Sequence, residues 1–169
     1  FALVAAPPLS GYTDALNALG VTYDVFDNTL GEEPTATELQ AYRCIIWRMD
    51  EISAPAATLP QKLAAYVNGG GSLLIASMEG VTRLTEAGLA SLTTALLQIQ
   101  SYTEDQPVLD IAGTGDPVGA GISLALDHSP YDELLTLLEL LGTTDPSDWV
   151  VPTTNASPIL TADGSIVGI

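Results

Sequence analysis

Two sets of side chains in this sequence have the types and spacing that chemistry needs. The first is Ser77 with His128. Ser77 closes the apolar run Ser72 to Ser77, SLLIAS, and a hydroxyl at a strand-to-turn junction can act as a nucleophile if a histidine base and an acidic partner reach it. His128 lies in DHSPYDE, a polar loop, where a lone surface histidine beside Asp127 is the commoner arrangement. The second set is carboxylates at strand ends: Asp27, Asp50, Glu51 and Glu79. Parallel strands bring such ends to one edge, and converging oxygens there would suit Ca²⁺ or Mg²⁺. No D-x-D-x-D loop is present, so a solvated acidic rim is the commoner reading, and no other cofactor is expected.

Three weaker signals complete the inventory. GTGDPVGAG, Gly113 to Gly121, has the glycines of a phosphate loop, but no lysine follows it, and a structural glycine loop accounts for it better. Asn155-Ala156-Ser157 fits a glycosylation sequon that Pro158 disfavours. Cys44 is the only cysteine, which excludes a disulfide within the chain. Its place inside RCIIWRM predicts a buried, inert thiol.

Composition narrows the function classes. Of 169 residues, 47% are hydrophobic and 15% charged, which is a globular balance for one domain covering residues 1–169. The net charge is −17, with 21 acids against Arg43, Arg48, Lys62 and Arg83. Such a surface repels nucleic acid and anionic lipid, and lacks the cations for phosphate binding. It favours solubility, cations or basic partners. No apolar run approaches a membrane span, so direct membrane insertion is not expected.

The elements that would position these groups centre on Arg43 to Ser77. Arg43 to Met49 is an apolar run with β-branched and aromatic members, the pattern of a strand buried on both faces. Pro60 opens a helix whose Leu63, Ala64 and Val67 form one stripe, and Asn68 with Gly69 to Gly71 stops it. Ser72 to Ser77 is a second buried strand, completing a parallel βαβ unit. Upstream, Phe1 to Ala6 reads as a strand, and Thr13 caps a helix ended by Gly20, with Leu16 and Leu19 toward a sheet. Val21 to Asp27 alternates as a strand, and Thr35 or Thr37 opens a short helix through Tyr42. Downstream, helices are predicted over Glu86 to Gln100 and Tyr131 to Leu141, and a strand over Val108 to Ala112. Trp149 to Val151 and Pro158 to Leu160 are short extended runs. Ala162-Asp163-Gly164 is a turn into a last strand, Ser165 to Ile169.

This alternation of strands and helices about a parallel core predicts an α/β three-layer sandwich, with a mostly parallel flavodoxin-like sheet and an antiparallel C-terminal hairpin. Within that class, GYTDALNALGVTYDVFD, LQAYRCIIWRMD, LAAYVNGGGSLLIAS and GTGDPVGAGISLALD resemble class I glutamine-amidotransferase-like domains of the trehalose-utilisation type, found in secreted or surface bacterial multidomain proteins. The resemblance covers about the first 80 residues well and the rest loosely. It implies an extracellular or cell-surface setting. It also implies a nucleophilic cysteine on the turn after a strand, and the matching turn, Ser77-Met78-Glu79-Gly80, has none. Amidotransferase chemistry is therefore not expected.

The expected function is accordingly a non-catalytic extracellular interaction or assembly domain whose partners are other domains or subunits of the same surface assembly. A hydrolase or amidotransferase-like enzyme, or a small-ligand or cation-binding domain, at the edge near Ser77, Glu79 and Asp50 is the alternative. The apolar hairpin SPILTADGSIVGI predicts that Val167 and Ile169 pack against something further, so the chain reads as one piece of a larger polypeptide or assembly.

Overall fold

A computed structural model describes residues 9–26, 33–49, 58–106, 108–126 and 147–169. The expected strand Phe1 to Ala6 and helix Tyr131 to Leu141 lie outside them. Among the described residues, a helix α1 (Ser10–Ala18) comes first and buries no side chain fully, and Leu19 just after it is 76% exposed. Thr13, expected to cap it, lies inside it, with its hydroxyl donating to the carbonyls of Leu9 and Ser10. Gly20 ends it at φ +67°, a left-handed conformation that glycine adopts without steric cost. Residues 21–26 form no strand, and Val25 and Phe26 stay about half exposed (56% and 49%).

The central unit forms as the expected strand, helix and strand, but its two strands are covered on one face and not on both. Thr35 caps α2 (Ala36–Gln40) through a capping box with Glu38. β1 (Cys44–Arg48), α3 (Leu59–Asn68) and β2 (Ser72–Ala76) follow, and β1 pairs with β2 in parallel, Cys44 opposite Ser72 and Arg48 opposite Ala76. α3 lays Leu59, Leu63 and Tyr66 on Leu39, with Ile45, Trp47, Val67 and Leu73 against them. Only one face of the two strands is covered in this way. Alternation turns Cys44, Ile46 and Leu74 to the other face, where all three are exposed. The expectation of a buried Cys44 is thus corrected: helical packing protects the odd-numbered side chains of β1 and leaves the thiol to solvent.

Beyond β2 the architecture departs from the expected sandwich. The run Glu86 to Gln100 is not one helix. α4 (Gly80–Glu86) ends at Gly88, φ +75°, where Leu89 N–H reaches back to the Leu84 carbonyl at 2.8 Å. α5 (Ala90–Ala95) is a second short helix, and β3 (Ile99–Gln106) begins within the span predicted as helical. β4 (Asp110–Gly113), β5 (Ser123–Ala125), β6 (Ser147–Pro152), β7 (Leu160–Ala162) and β8 (Ser165–Gly168) complete the chain. β3 pairs with β6, and β5-β4-β7-β8 form a four-stranded sheet, all antiparallel.

The mostly parallel flavodoxin-like sheet is therefore contradicted: among the described residues, parallel pairing is confined to the two strands β1 and β2. Where strands adjacent in sequence pair, β4 with β5 and β7 with β8, the physical reason is in the connection: antiparallel neighbours need only a short turn, whereas parallel ones need a crossover. Asp163 and Gly164 sit at φ +48° and +84° between the paired Ala162 and Ser165, the two left-handed residues of a tight hairpin turn. β8 then packs on β6, with Ile166 and Ile169 against a second core of Val81, Ile99 and Val150. Part of the apolar demand expected at the C-terminal hairpin is thus met inside the chain.

Candidate functional site

The turn that follows β2 brings the most chemistry together among the described residues. Met49 N–H donates to the Ala76 carbonyl at 3.0 Å, carrying the parallel pairing to the end of the strand. The backbone then bends sharply into α4. A Cβ on Gly80 would stand 3.2 Å from Ser77 Cβ, so a small residue suits that position. Ser77 Oγ is buried at the bend without a hydrogen-bond partner. His128, the base expected for it, lies outside the described residues.

Glu79 and Asp148 flank the bend, each only 7% exposed. Glu79 pairs with Arg83 one helical turn on, and Arg83 also donates to Glu86 Oε2 at 2.6 Å. Burial pushes the Glu79 carboxyl up to about 7. Arg83 pulls it back, while Asp148 and Asp105 push further upward. Asp148 arrives from β6. Its Oδ2 accepts from the backbone N–H groups of Val81 at 2.9 Å and Thr82 at 3.0 Å, and its Oδ1 accepts from Thr82 Oγ1 at 2.7 Å. Its own N–H donates to the Met78 carbonyl at 2.9 Å. Burial raises the Asp148 carboxyl, opposed by the Thr82 and Val81 hydrogen bonds.

Two neighbouring buried carboxyls, one titrating near neutrality, have the composition of an acid–base pair. Their hydrogen bonds say otherwise. Glu79 is held by Arg83, and both Asp148 oxygens satisfy the first turn of α4, whose amides have no partner within the helix. A depression of about 450 Å³ opens at the other end of the β1–β2 pair, beside Gln40, Tyr42, Arg43 and Tyr66, away from the bend. The arrangement at Ser77–Gly80 is a clasp that fixes β2, α4 and β6 to one another.

No family model, no curated protein and no solved structure matches this chain. Its chemistry is therefore read from its own residues.

Of the residues singled out in the sequence, Ser77 and Glu79 stand together on the bend. Asp27, Asp50, Glu51 and His128 lie outside the described residues. Among the described residues no group of three or more His, Cys, Asp or Glu side chains is placed to hold a metal ion. The glycine loop is a structural one. A Cβ on Gly113 would overlap the Gly119 carbonyl oxygen, and one on Gly119 would come within 2.3 Å of the Ile159 carbonyl oxygen. Thr114 ties the same crossing, its N–H donating to the Ile159 carbonyl at 2.9 Å. Asp148, Thr82 and Arg83 escaped the sequence reading. Asp148 caps a helix whose amides are 66 and 67 residues away, and no local pattern marks such a cap.

Proposed function

We propose that this chain is a non-catalytic interaction or assembly domain that works outside the cell or at its surface, joined to other domains or subunits of the same assembly. The observation that carries the reading is a bare apolar sheet face. β4 and β5 pair Asp110 with Ala125 and Ile111 with Leu124, so alternation sets Leu109, Ile111, Leu124 and Leu126 on one side. Leu109 and Leu124 are 59% and 57% exposed there. A contiguous apolar patch on an otherwise strongly acidic chain is costly in water and marks a surface used for contact. The uncovered side of β1 and β2, with Ile46 and Leu74, is a second such surface. The clasp at the bend supports the non-catalytic part, because its carboxylates are engaged in holding elements together. The extracellular setting rests on the resemblance of the first half of the chain.

A photo-crosslinking side chain placed in turn at Leu19, Leu74 and Leu124, in the cells that make the protein, tests the reading. All three positions are exposed, and a discrete adduct from at least one of them is expected. No adduct from any position, together with an ester or amide hydrolysis lost in Ser77→Ala, would reverse the assignment in favour of an enzyme.

A further inference from the structure

We infer that the β5 edge accepts a strand from a partner polypeptide carrying alternating apolar and basic residues; this rests on the interaction reading and names its surface and partner chemistry. Three observations meet at this edge. The first is backbone geometry. Leu126 N–H donates to the Leu109 carbonyl at 2.7 Å and Gly113 N–H to the Ile122 carbonyl at 2.8 Å, so these pairs are the hydrogen-bonded ones of the ladder. The intervening residues Ser123 and Ala125, opposite Ala112 and Asp110, turn their N–H and C=O groups away from β4. β5 is the outer strand of its sheet, and all three of its residues are exposed. At the far side of the sheet β8 is packed on β6, so among the described residues β5 carries the open edge.

The second observation is side-chain chemistry. An added strand would continue the apolar face of Leu109, Leu124 and Leu126, giving its alternate residues an apolar surface to cover. The third is charge. No Lys or Arg follows Arg83 in the sequence, and the charged residues of this sheet and its loops, Asp110, Asp116 and Asp163, are all acidic. A second copy of this chain would bring its own −17 to the contact, whereas a strand bearing lysine or arginine would be attracted to it.

Two fluorescein-labelled seven-residue peptides serve as probes, one alternating valine with lysine and the other valine with glutamate, with binding read by anisotropy at physiological salt. The lysine peptide is expected to bind, and the glutamate peptide to bind at least tenfold more weakly. Ala125→Pro removes an outward N–H without touching a ladder bond, and Leu124→Ser removes apolar contact without changing charge. Each is expected to weaken the lysine peptide tenfold or more. Val118→Ser, in the exposed loop between β4 and β5, is expected to leave it unchanged. Circular dichroism confirms that each variant is folded. Equal binding of both peptides, undiminished binding by folded Ala125→Pro, or no binding by the parent chain overturns the inference. So does a dimer of the chain that Leu124→Ser abolishes, which would make the occupant a second copy. An in-cell adduct from Leu74 or Leu19 without one from Leu124 would leave the interaction reading standing and remove this edge from it.

Discussion

Glu79 shows how burial and an ion pair can pull one side chain in opposite directions. Arg83 beside it favours the carboxylate, yet loss of water favours the neutral acid, and the carboxyl rises to about 7. Because its folded pKa lies above its unfolded one, the native chain binds this proton more tightly. The stability contributed is full below the ordinary carboxylate range and is lost as pH climbs through about 7. Asp148 is raised too, and its sign is the same. Glu33, lowered by hydrogen bonds from Lys62 and Thr58, and Glu38, lowered by the Thr35 cap, have the opposite sign: their contribution is lost as pH falls through the carboxylate range. Urea unfolding from pH 6 to pH 9 is therefore expected to show the parent chain losing roughly 1–3 kcal/mol. Glu79→Gln should remove most of that slope. An unchanged slope in the variant would place the proton elsewhere. Residue types told part of this in advance: Glu79 was singled out for its place after a strand, but its burial depends on β6 and is not written near it.

At the scale of elements, legibility followed the range of the interactions. The βαβ unit from Cys44 to Ala76 is set by neighbouring residues, and it stands where its apolar periodicity put it. The two left-handed residues Asp163 and Gly164 likewise announced their turn locally. β3 did not announce itself. Its Gln100, Ser101, Glu104 and Asp105 are all exposed, and its identity comes from pairing with β6, Tyr102 opposite Val150. Gly88 lies inside the helix predicted over Glu86 to Gln100, and it proves to be the stop of α4. The start of α4 was invisible because Asp148 supplies it from β6. Asp148→Ala strips three hydrogen bonds from that start and is expected to cost about 2–4 kcal/mol by chemical denaturation, with Asp148→Asn recovering part of it. A loss under about 0.5 kcal/mol would mean that water replaces the cap at little cost.

For the whole molecule, the pattern of the first half predicts a three-layer sandwich that the second half does not continue. Among the described residues one pair of strands is parallel, and the other six strands pair antiparallel in two further sheets. Choice of partner strand is a long-range property, and apart from the C-terminal hairpin the short runs after Val108 carry no signal for it. The charge was legible throughout. With 21 acids against four cations, the folded chain repels itself, and screening should relieve it. Raising NaCl from about 20 mM to about 500 mM is expected to lift the thermal midpoint by about 5 °C. A midpoint that falls instead would mean that pairs such as Lys62–Glu33 and Arg83–Glu79 outweigh the general repulsion.

The remote cap also sets a clock. A ribosome releases the chain from its amino end, so Cys44 to Ala76 can close while the remainder is still being made. The amides of Val81 and Thr82 must then wait in water until Asp148 has emerged, and β3 waits for β6 over the same interval. Vectorial synthesis therefore divides this chain into an early unit whose core, Leu39 with Leu59, Leu63 and Tyr66, comes from its own residues, and a late part whose first helix is completed by one of its last strands.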